Sequence, residues 1–229
     1  MSANLSRDPT EAAFWGRRPC LREPIAEIFK AAEELSSAAD GYLRGDLDGC
    51  ARLVEAADKS AIREWIESLW GSKTANPEQP LYHRHRQVAD QPLSLPKKAR
   101  QKVRMPSVLE QREIVKQWGW HCAYCGIPLI ATAARNVLHK ALGDRLRWGP
   151  RNADRHSAFQ CMTIEFDHVV PHSVGGTSDL ENTVPSCGPC NCGKFTRTLA
   201  QHGLDDPRDR PAKSSSWDGL TRLLKAGTK

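Results

Sequence analysis

The residues best able to do chemistry in this 229-residue sequence lie in its C-terminal half. They are two Cys-x-x-Cys pairs, Cys122-Ala-Tyr-Cys125 and Cys187-Gly-Pro-Cys190, with an Asp167-His168 pair between them. Residues 1–20 alternate charged and small side chains and hold no apolar run of the kind an export signal needs. Disulfides are therefore not expected, and close cysteine pairs read as metal ligands. Four thiolates satisfy the tetrahedral preference of Zn2+, so Cys122, Cys125, Cys187 and Cys190 are the expected structural zinc ligands. The competing reading is a redox Cys-x-x-Cys or packed thiols. Cys161 and Cys192 are expected spectators, with Cys192 the alternative fourth ligand. His168 has the chemistry of a general base, since an imidazole with pKa near 6.5 accepts a proton at neutral pH. Asp167 offers a hard oxygen for Mg2+ or a similar ion.

Residues 165–194 read Glu-Phe-Asp-His-Val-Val-Pro-His-Ser-Val-Gly-Gly-Thr-Ser-Asp-Leu-Glu-Asn-Thr-Val-Pro-Ser-Cys-Gly-Pro-Cys-Asn-Cys-Gly-Lys. This stretch resembles the HNH (ββα-metal) endonuclease motif: an Asp-His pair, a hydrophobic step to Pro, a Gly-Gly turn, a mid-motif Asn, then Cys-x-x-Cys-Asn-x-x-Lys. The resemblance covers about 30 residues strictly and residues 106–225 loosely. It implies phosphodiester hydrolysis, in which water must be activated and charge on the phosphate neutralised by a cation. It further implies His168 as base and Asp167 and Asn191 as protein ligands of a catalytic Mg2+ or Mn2+. Asn stands where many relatives have a final His, which makes this an HNN-type variant. Asn182 takes the place of the mid-motif Asn that holds the loop bearing the base through backbone hydrogen bonds, and is a catalytic-site candidate in that sense. For His168 and Asp167 to address one phosphate, the strand carrying them should end or bulge there, because consecutive strand residues point to opposite faces. On the helix beginning near Pro189, Lys194 lies three residues beyond Asn191 and returns to the same side, where it becomes a candidate phosphate contact.

The elements that must position these residues follow from periodicity. Residues 24–70 look helical: Ile25, Ile28, Phe29, Ala32 and Leu35 form one stripe, and Ile62, Trp65, Ile66, Leu69 and Trp70 a second, after Ser60 as a cap. The glycines and aspartates of residues 40–49 mark the turn between them. Residues 71–105 lose periodicity and carry prolines and the basic run 97–104. His83 and His85 in this region are weak metal candidates. Ser107 with Glu110 is a capping box, predicting a helix to about Trp118 with Leu109, Ile114, Val115 and Trp118 on its buried face. Residues 132–147 are expected to be helical, and 163–169 a strand. The fold class expected is α+β, mostly helical. Residues 1–75 form a helical domain and 76–105 a basic, Pro-containing linker or arm. Residues 106–229 form a zinc-stapled, treble-clef-like ββα-metal module with an insertion between its two Cys-x-x-Cys pairs. That insertion, rich in arginine around Trp148, reads either as a DNA-facing flap or as a structural extension.

The net charge of +6 is unevenly placed. Residues 1–80 carry 10 basic and 14 acidic side chains, residues 81–105 carry 7 and 1, and residues 106–229 carry 16 and 12. A polyanion would therefore meet the arm and the C-terminal module. Candidate DNA contacts are Lys97, Lys98, Arg100, Lys102, Arg104, His172 and Lys194. The partner expected is DNA, double-stranded, with a protein partner docking on the N-terminal helices as an additive role. No run is long and apolar enough for a membrane span, and a cytoplasmic location is the default. Restriction, phage defence and mobile elements are the settings the resemblance suggests. A zinc-stabilised nucleic-acid-binding module without turnover, and an RNase, are the alternatives.

Overall fold

The computed structural model describes residues 16–70, 86–89, 91–102 and 104–225. His83 and His85 lie outside the described residues, as do most of the expected linker and the start of the chain. Three helices open the described chain: α1 (Ala26–Leu43), α2 (Leu47–Ala57) and α3 (Ser60–Trp70). The α1 stripe buries Ile28, Ala31, Ala32, Leu35 and Ala38, and α3 buries Ile62, Trp65, Ile66 and Leu69. Phe29, expected on the α1 stripe, is 37% exposed. The segment read as a turn holds a helix start instead: the Asp46 carboxylate accepts from the Gly49 amide at 2.8 Å and caps α2.

The second half contributes α4 (Val108–Trp118), α5 (Thr132–Leu142), α6 (Ser157–Met162), the strands β1 (Ile164–His168) and β2 (Thr183–Cys187), and α7 (Gly188–Lys194). Two short helices follow, α8 (Leu199–His202) and α9 (Arg222–Lys225). The capping box at α4 forms: the Glu110 amide donates to Ser107 Oγ at 3.3 Å and the Ser107 amide to Glu110 Oε2 at 2.8 Å. Ile114 and Trp118 are its buried residues; Leu109, expected among them, is 71% exposed. α5 stops at Leu142, short of the expected 147, where Gly143 takes a left-handed φ of 56°.

β1 and β2 form an antiparallel pair with Glu165 opposite Ser186 and Asp167 opposite Val184. A two-stranded ribbon is marginal by itself. Here every residue of β2 is buried, and α7 continues directly from it to cover the ribbon. The N-terminal helices complete that cover, since α3 packs on α6 and α7. Gly193 in α7 makes this approach possible: a Cβ there would meet Leu21 Cδ1 at 3.0 Å and Leu69 Cδ2 at 3.4 Å. One hydrophobic cluster consequently runs from α1–α3 through Phe159 and Met162 to Val184 and the buried cysteines.

The insertion between the Cys-x-x-Cys pairs faces these helices. Arg145 pairs with Glu55 at 2.7 Å and Arg147 with Asp58 at 2.6 Å, while His156 Nε2 meets the Val54 carbonyl at 2.7 Å. Arg135 and Arg155 stack over Trp148 at 4.1 and 5.2 Å from the ring centroid. Of the two readings, these contacts favour the extension: Arg145 and Arg147 are matched to acidic groups of the N-terminal helices, and Arg151 to Asp154 within the insertion. No helix among the described residues is long and apolar enough to cross a membrane.

Candidate metal centre and active site

The first Cys-x-x-Cys sits in a tight knuckle after α4. The Gly126 amide donates to the Cys122 carbonyl at 2.8 Å, and Gly126 adopts φ +75°, a conformation that favours glycine. The Ala123 amide donates to the Pro185 carbonyl at 2.8 Å and so ties the knuckle to β2. The second pair spans the β2–α7 junction, where Cys187 Sγ accepts from the Cys190 amide at 3.4 Å and caps α7. All four sulfurs lie within 4.8 Å of one another, with Cys125 and Cys187 3.8 Å apart. A tetrahedron with Zn–S bonds of about 2.3 Å has S···S edges of about 3.8 Å, so the cluster has the dimensions of a four-thiolate zinc site. Burial pushes the Cys187 thiol well up. At Cys122 burial acts in the same direction, but hydrogen bonds from Cys125, Cys187 and Cys190 overcome it and hold the group well below its ordinary value. Cys192 is exposed and Cys161 buried, both outside the cluster.

β1 ends at His168 without a bulge. Pairing is regular up to that point, so the two side chains leave on opposite sides. Asp167 is 6% exposed and turns inward; its Oδ2 accepts from Tyr124 OH at 2.6 Å and lies 3.1 Å from Lys194 Nζ. His168 is half-buried, with Nε2 2.9 Å from Ser178 Oγ. Burial lowers its pKa below the ordinary histidine value, partly offset by the Asp167 carboxylate, and so favours the neutral ring.

Lys194 corrects one expectation. It is only 1% exposed, and its ammonium donates to the His168 carbonyl at 2.8 Å besides pairing with Asp167. It therefore braces the end of β1 from inside and has no face for a phosphate. Removing one partner of such a buried pair typically costs about 3–5 kcal/mol, because the other charge is left unpaired. Lys194→Met should lower stability on that scale in a denaturant titration. A loss below about 1 kcal/mol would mean that water reaches Asp167 and that the pair has no bracing role.

Asn191 meets Glu165 and not Asp167: its Nδ2 donates to Glu165 Oε2 at 2.5 Å. Glu165 had no role in the reading of the sequence. The signal that identifies it is the two-residue strand period, which puts Glu165 and Asp167 on the face of β1 that looks at Asn191 and Lys194 of α7. Two carboxylates and an amide there are hard oxygen donors of the type Mg2+ or Mn2+ takes.

Asn182 holds the loop after His168. Its Oδ1 accepts from the Val170 amide at 2.8 Å, and its Nδ2 donates to the carbonyls of Val170 at 3.0 Å and Thr177 at 2.8 Å. Gly176 lies so close beneath that a Cβ would stand 1.8 Å from the Val170 carbonyl oxygen, which no other residue could accommodate without moving the loop.

The arm lies against the same loop. The Leu95 amide donates to the Ser173 carbonyl at 2.8 Å, His172 Nε2 meets the Gln101 carbonyl, and the Arg104 amide donates to Ser178 Oγ at 3.4 Å. Ser178 is the hydroxyl that touches His168, so the basic segment runs alongside the histidine. Lys97, Lys98 and Lys102 are exposed there. The Arg104 guanidinium, in contrast, is engaged by Glu110 at 2.6 Å, and Arg100 Nε donates to the Leu95 carbonyl at 2.8 Å.

Residues 152–197 match the family described as HNH endonuclease. The matched segment spans α6, β1, the Asn182 loop, β2 and α7, and so holds both strands and the helix of the site. No curated protein and no solved structure matches the chain.

Proposed function

We propose that the chain is a metal-dependent endonuclease that hydrolyses DNA phosphodiester bonds, of the HNN type, with His168 as general base and Asn182 as its loop support. The observation that carries the reading is the placement of His168: a neutral-leaning imidazole at the end of β1, beside exposed lysines, within the segment that matches HNH endonucleases. Asn191 and Glu165, with the Asp167 oxygen not held by Tyr124 and Lys194, are the donors we assign to Mg2+ or Mn2+. When bound, such an ion neutralises charge developing on the scissile phosphate. Ser178 orients the His168 ring, and Lys194 fixes the backbone beneath it. The four cysteines hold Zn2+, which anchors the helix carrying Asn191. The apolar stripe of α3 is buried against α6 and α7, while α1 and α2 pack mainly on each other, so we assign α3, backed by that pair, the role of a scaffold for α7.

The test is incubation of zinc-loaded protein with supercoiled plasmid and Mg2+ or Mn2+, beside an RNA of matching sequence. Nicked or linear DNA is expected. Cleavage of RNA alone would transfer the reading to an RNase, and binding with no cleavage in either ion would leave a non-catalytic binding module. Asn191→Ala and Glu165→Gln should each lose activity that a higher Mg2+ concentration partly restores. Absence of any such recovery would remove these two side chains from the metal site.

The exposed lysines should contribute affinity without sequence choice, because each neutralised phosphate releases counterions. Replacing Lys97, Lys98 and Lys102 with Ala should flatten the slope of log affinity against log salt by about 0.9 for each phosphate no longer neutralised. An unchanged slope would reduce the arm to a connector.

A further inference from the structure

On the face of β1 that carries His168, and not the face that looks at α7, an open cavity of about 750 Å3 runs between α4, the start of α5 and α9. Small-molecule sites typically occupy roughly 300–1,000 Å3. Its floor includes Phe166, two residues before His168 on the same side of the strand, which places it about 7 Å along the chain from the proposed base. At its near end stands Val108, four residues beyond Arg104, whose amide reaches the Ser178 hydroxyl that touches His168. Phe166 and Val108 thus bring the cavity close to the proposed base, although His168 and Ser178 are not part of its lining.

Its chemistry is mixed in a particular way. Trp120 and Phe166 supply aromatic surface, and the Trp120 ring is fixed by Gly219, where a Cβ would come within 2.3 Å of it. Gln111 and Asn136 also line it, with Gln111 Nε2 held by the Pro106 carbonyl and Asn136 Oδ1 by Arg135. This leaves Gln111 Oε1 and Asn136 Nδ2 as the groups to face a ligand, and Arg112 and Lys116 add positive charge to the lining. No carboxylate lines it among the described residues; Glu113, 3.8 Å from Lys116, is exposed and outside the lining. A paired duplex presents charged phosphates outward and keeps its bases stacked, so it has no use for an apolar recess. An unpaired base does: aromatic walls take its faces, amides its edges, and cations the flanking phosphates.

We propose that this cavity receives an unpaired nucleobase of the nucleic-acid substrate and thereby selects bulged, mismatched or single-stranded sites for His168. The proposal rests on the nucleic-acid reading above, but not on catalysis. The test uses the full zinc-loaded chain without added divalent metal, and measures binding by fluorescence anisotropy. The probes are a fully paired DNA duplex and the same duplex carrying 2-aminopurine in a single-nucleotide bulge. The bulged probe should bind about tenfold tighter, the lower part of the range for one stacked base, with a change in 2-aminopurine emission. Ala133 is exposed on α5 and faces the cavity. Ala133→Trp should fill the cavity and abolish the preference, leaving zinc content, thermal melting and affinity for the paired duplex as they were. Phe166→Leu, which keeps an apolar floor but removes the ring, should weaken the bulged probe alone. Equal affinity for both probes in the parent protein would overturn the proposal, as would a preference that survives Ala133→Trp. Tight binding of an acidic amphipathic peptide that displaces neither probe and is abolished in Ala133→Trp would also overturn it and give the cavity to a protein partner. A bulge preference in a protein that cleaves no plasmid would remove the hydrolysis and keep the cavity.

Discussion

Stripping metal from the four-cysteine cluster is expected to collapse the C-terminal module and to loosen α3 with it. Structural zinc in small modules contributes an apparent 10–16 kcal/mol or so, against a total stability for most domains of about 5–15 kcal/mol. No other single interaction among the described residues approaches this. The collapse should not stop at the cysteines. α7 is seven residues long, capped by Cys187 Sγ and carrying Cys190, and a helix that short does not persist in water by itself. When α7 goes, Leu69 and Trp70 of α3 lose the surface they pack on at Gly193 and Gly188. The α1–α2 pair, whose buried residues face mainly each other, should keep much of its helical signal. Hydrogen exchange after chelation should therefore show reduced protection in β1, β2, α7 and α3, with α1 and α2 least affected. Metal analysis should find one zinc per chain in protein purified without chelator. Protein lacking zinc, or a melting temperature and exchange pattern indifferent to chelation, would rule out a structural zinc.

The cysteines were legible because metal geometry is written in spacing: two pairs three residues apart, whatever lies between. The capping box at Ser107 and the α3 stripe were legible for a similar reason, since each is settled within one or two helical turns. Depth was not. Leu109 and Phe29 have the right period and the wrong side, because a stripe tells which residues lie together and not how far the neighbouring element extends over them. Lys194 failed in the opposite sense. Its three-residue spacing from Asn191 placed it correctly toward β1, but a lysine is ordinarily a surface residue, and only the fold shows Asp167 and the His168 carbonyl waiting for it inside. The α2 start was hidden by its glycines. Gly41 and Gly49 read as turn residues, yet Gly41 is within α1 and lies against Cys50. The arginines of the insertion fit a DNA-facing flap and a structural extension alike in the sequence; what separates the two is the pairing of Arg145 and Arg147 with Glu55 and Asp58, a long-range match that no local pattern carries.

His168→Ala should abolish most cleavage while leaving the protein folded, zinc-loaded and able to bind DNA. The separation is expected because of what the side chain does not hold. The backbone carbonyl of residue 168, not its ring, accepts from Lys194, so the brace beneath β1 survives the substitution. Asp167 keeps Tyr124 and Lys194, Asn182 keeps Val170 and Thr177, and the four sulfurs are untouched. Only the hydrogen bond with Ser178 Oγ goes, at a half-buried position where water can replace the ring nitrogen. What disappears is the proton acceptor, and general-base catalysis is typically worth about 10²–10⁴-fold. Single-turnover cleavage of supercoiled plasmid should fall by at least two orders of magnitude, with an unchanged melting curve and unchanged affinity for DNA. Raising Mg2+ or substituting Mn2+ should restore nothing, in contrast to Asn191→Ala, because a better-filled metal site does not supply a base. A His168→Ala protein that nicks plasmid at the parental rate, purified free of contaminating nuclease, would sink the mechanism. One that fails to fold would show instead that the ring is a structural support and that the base must be sought elsewhere.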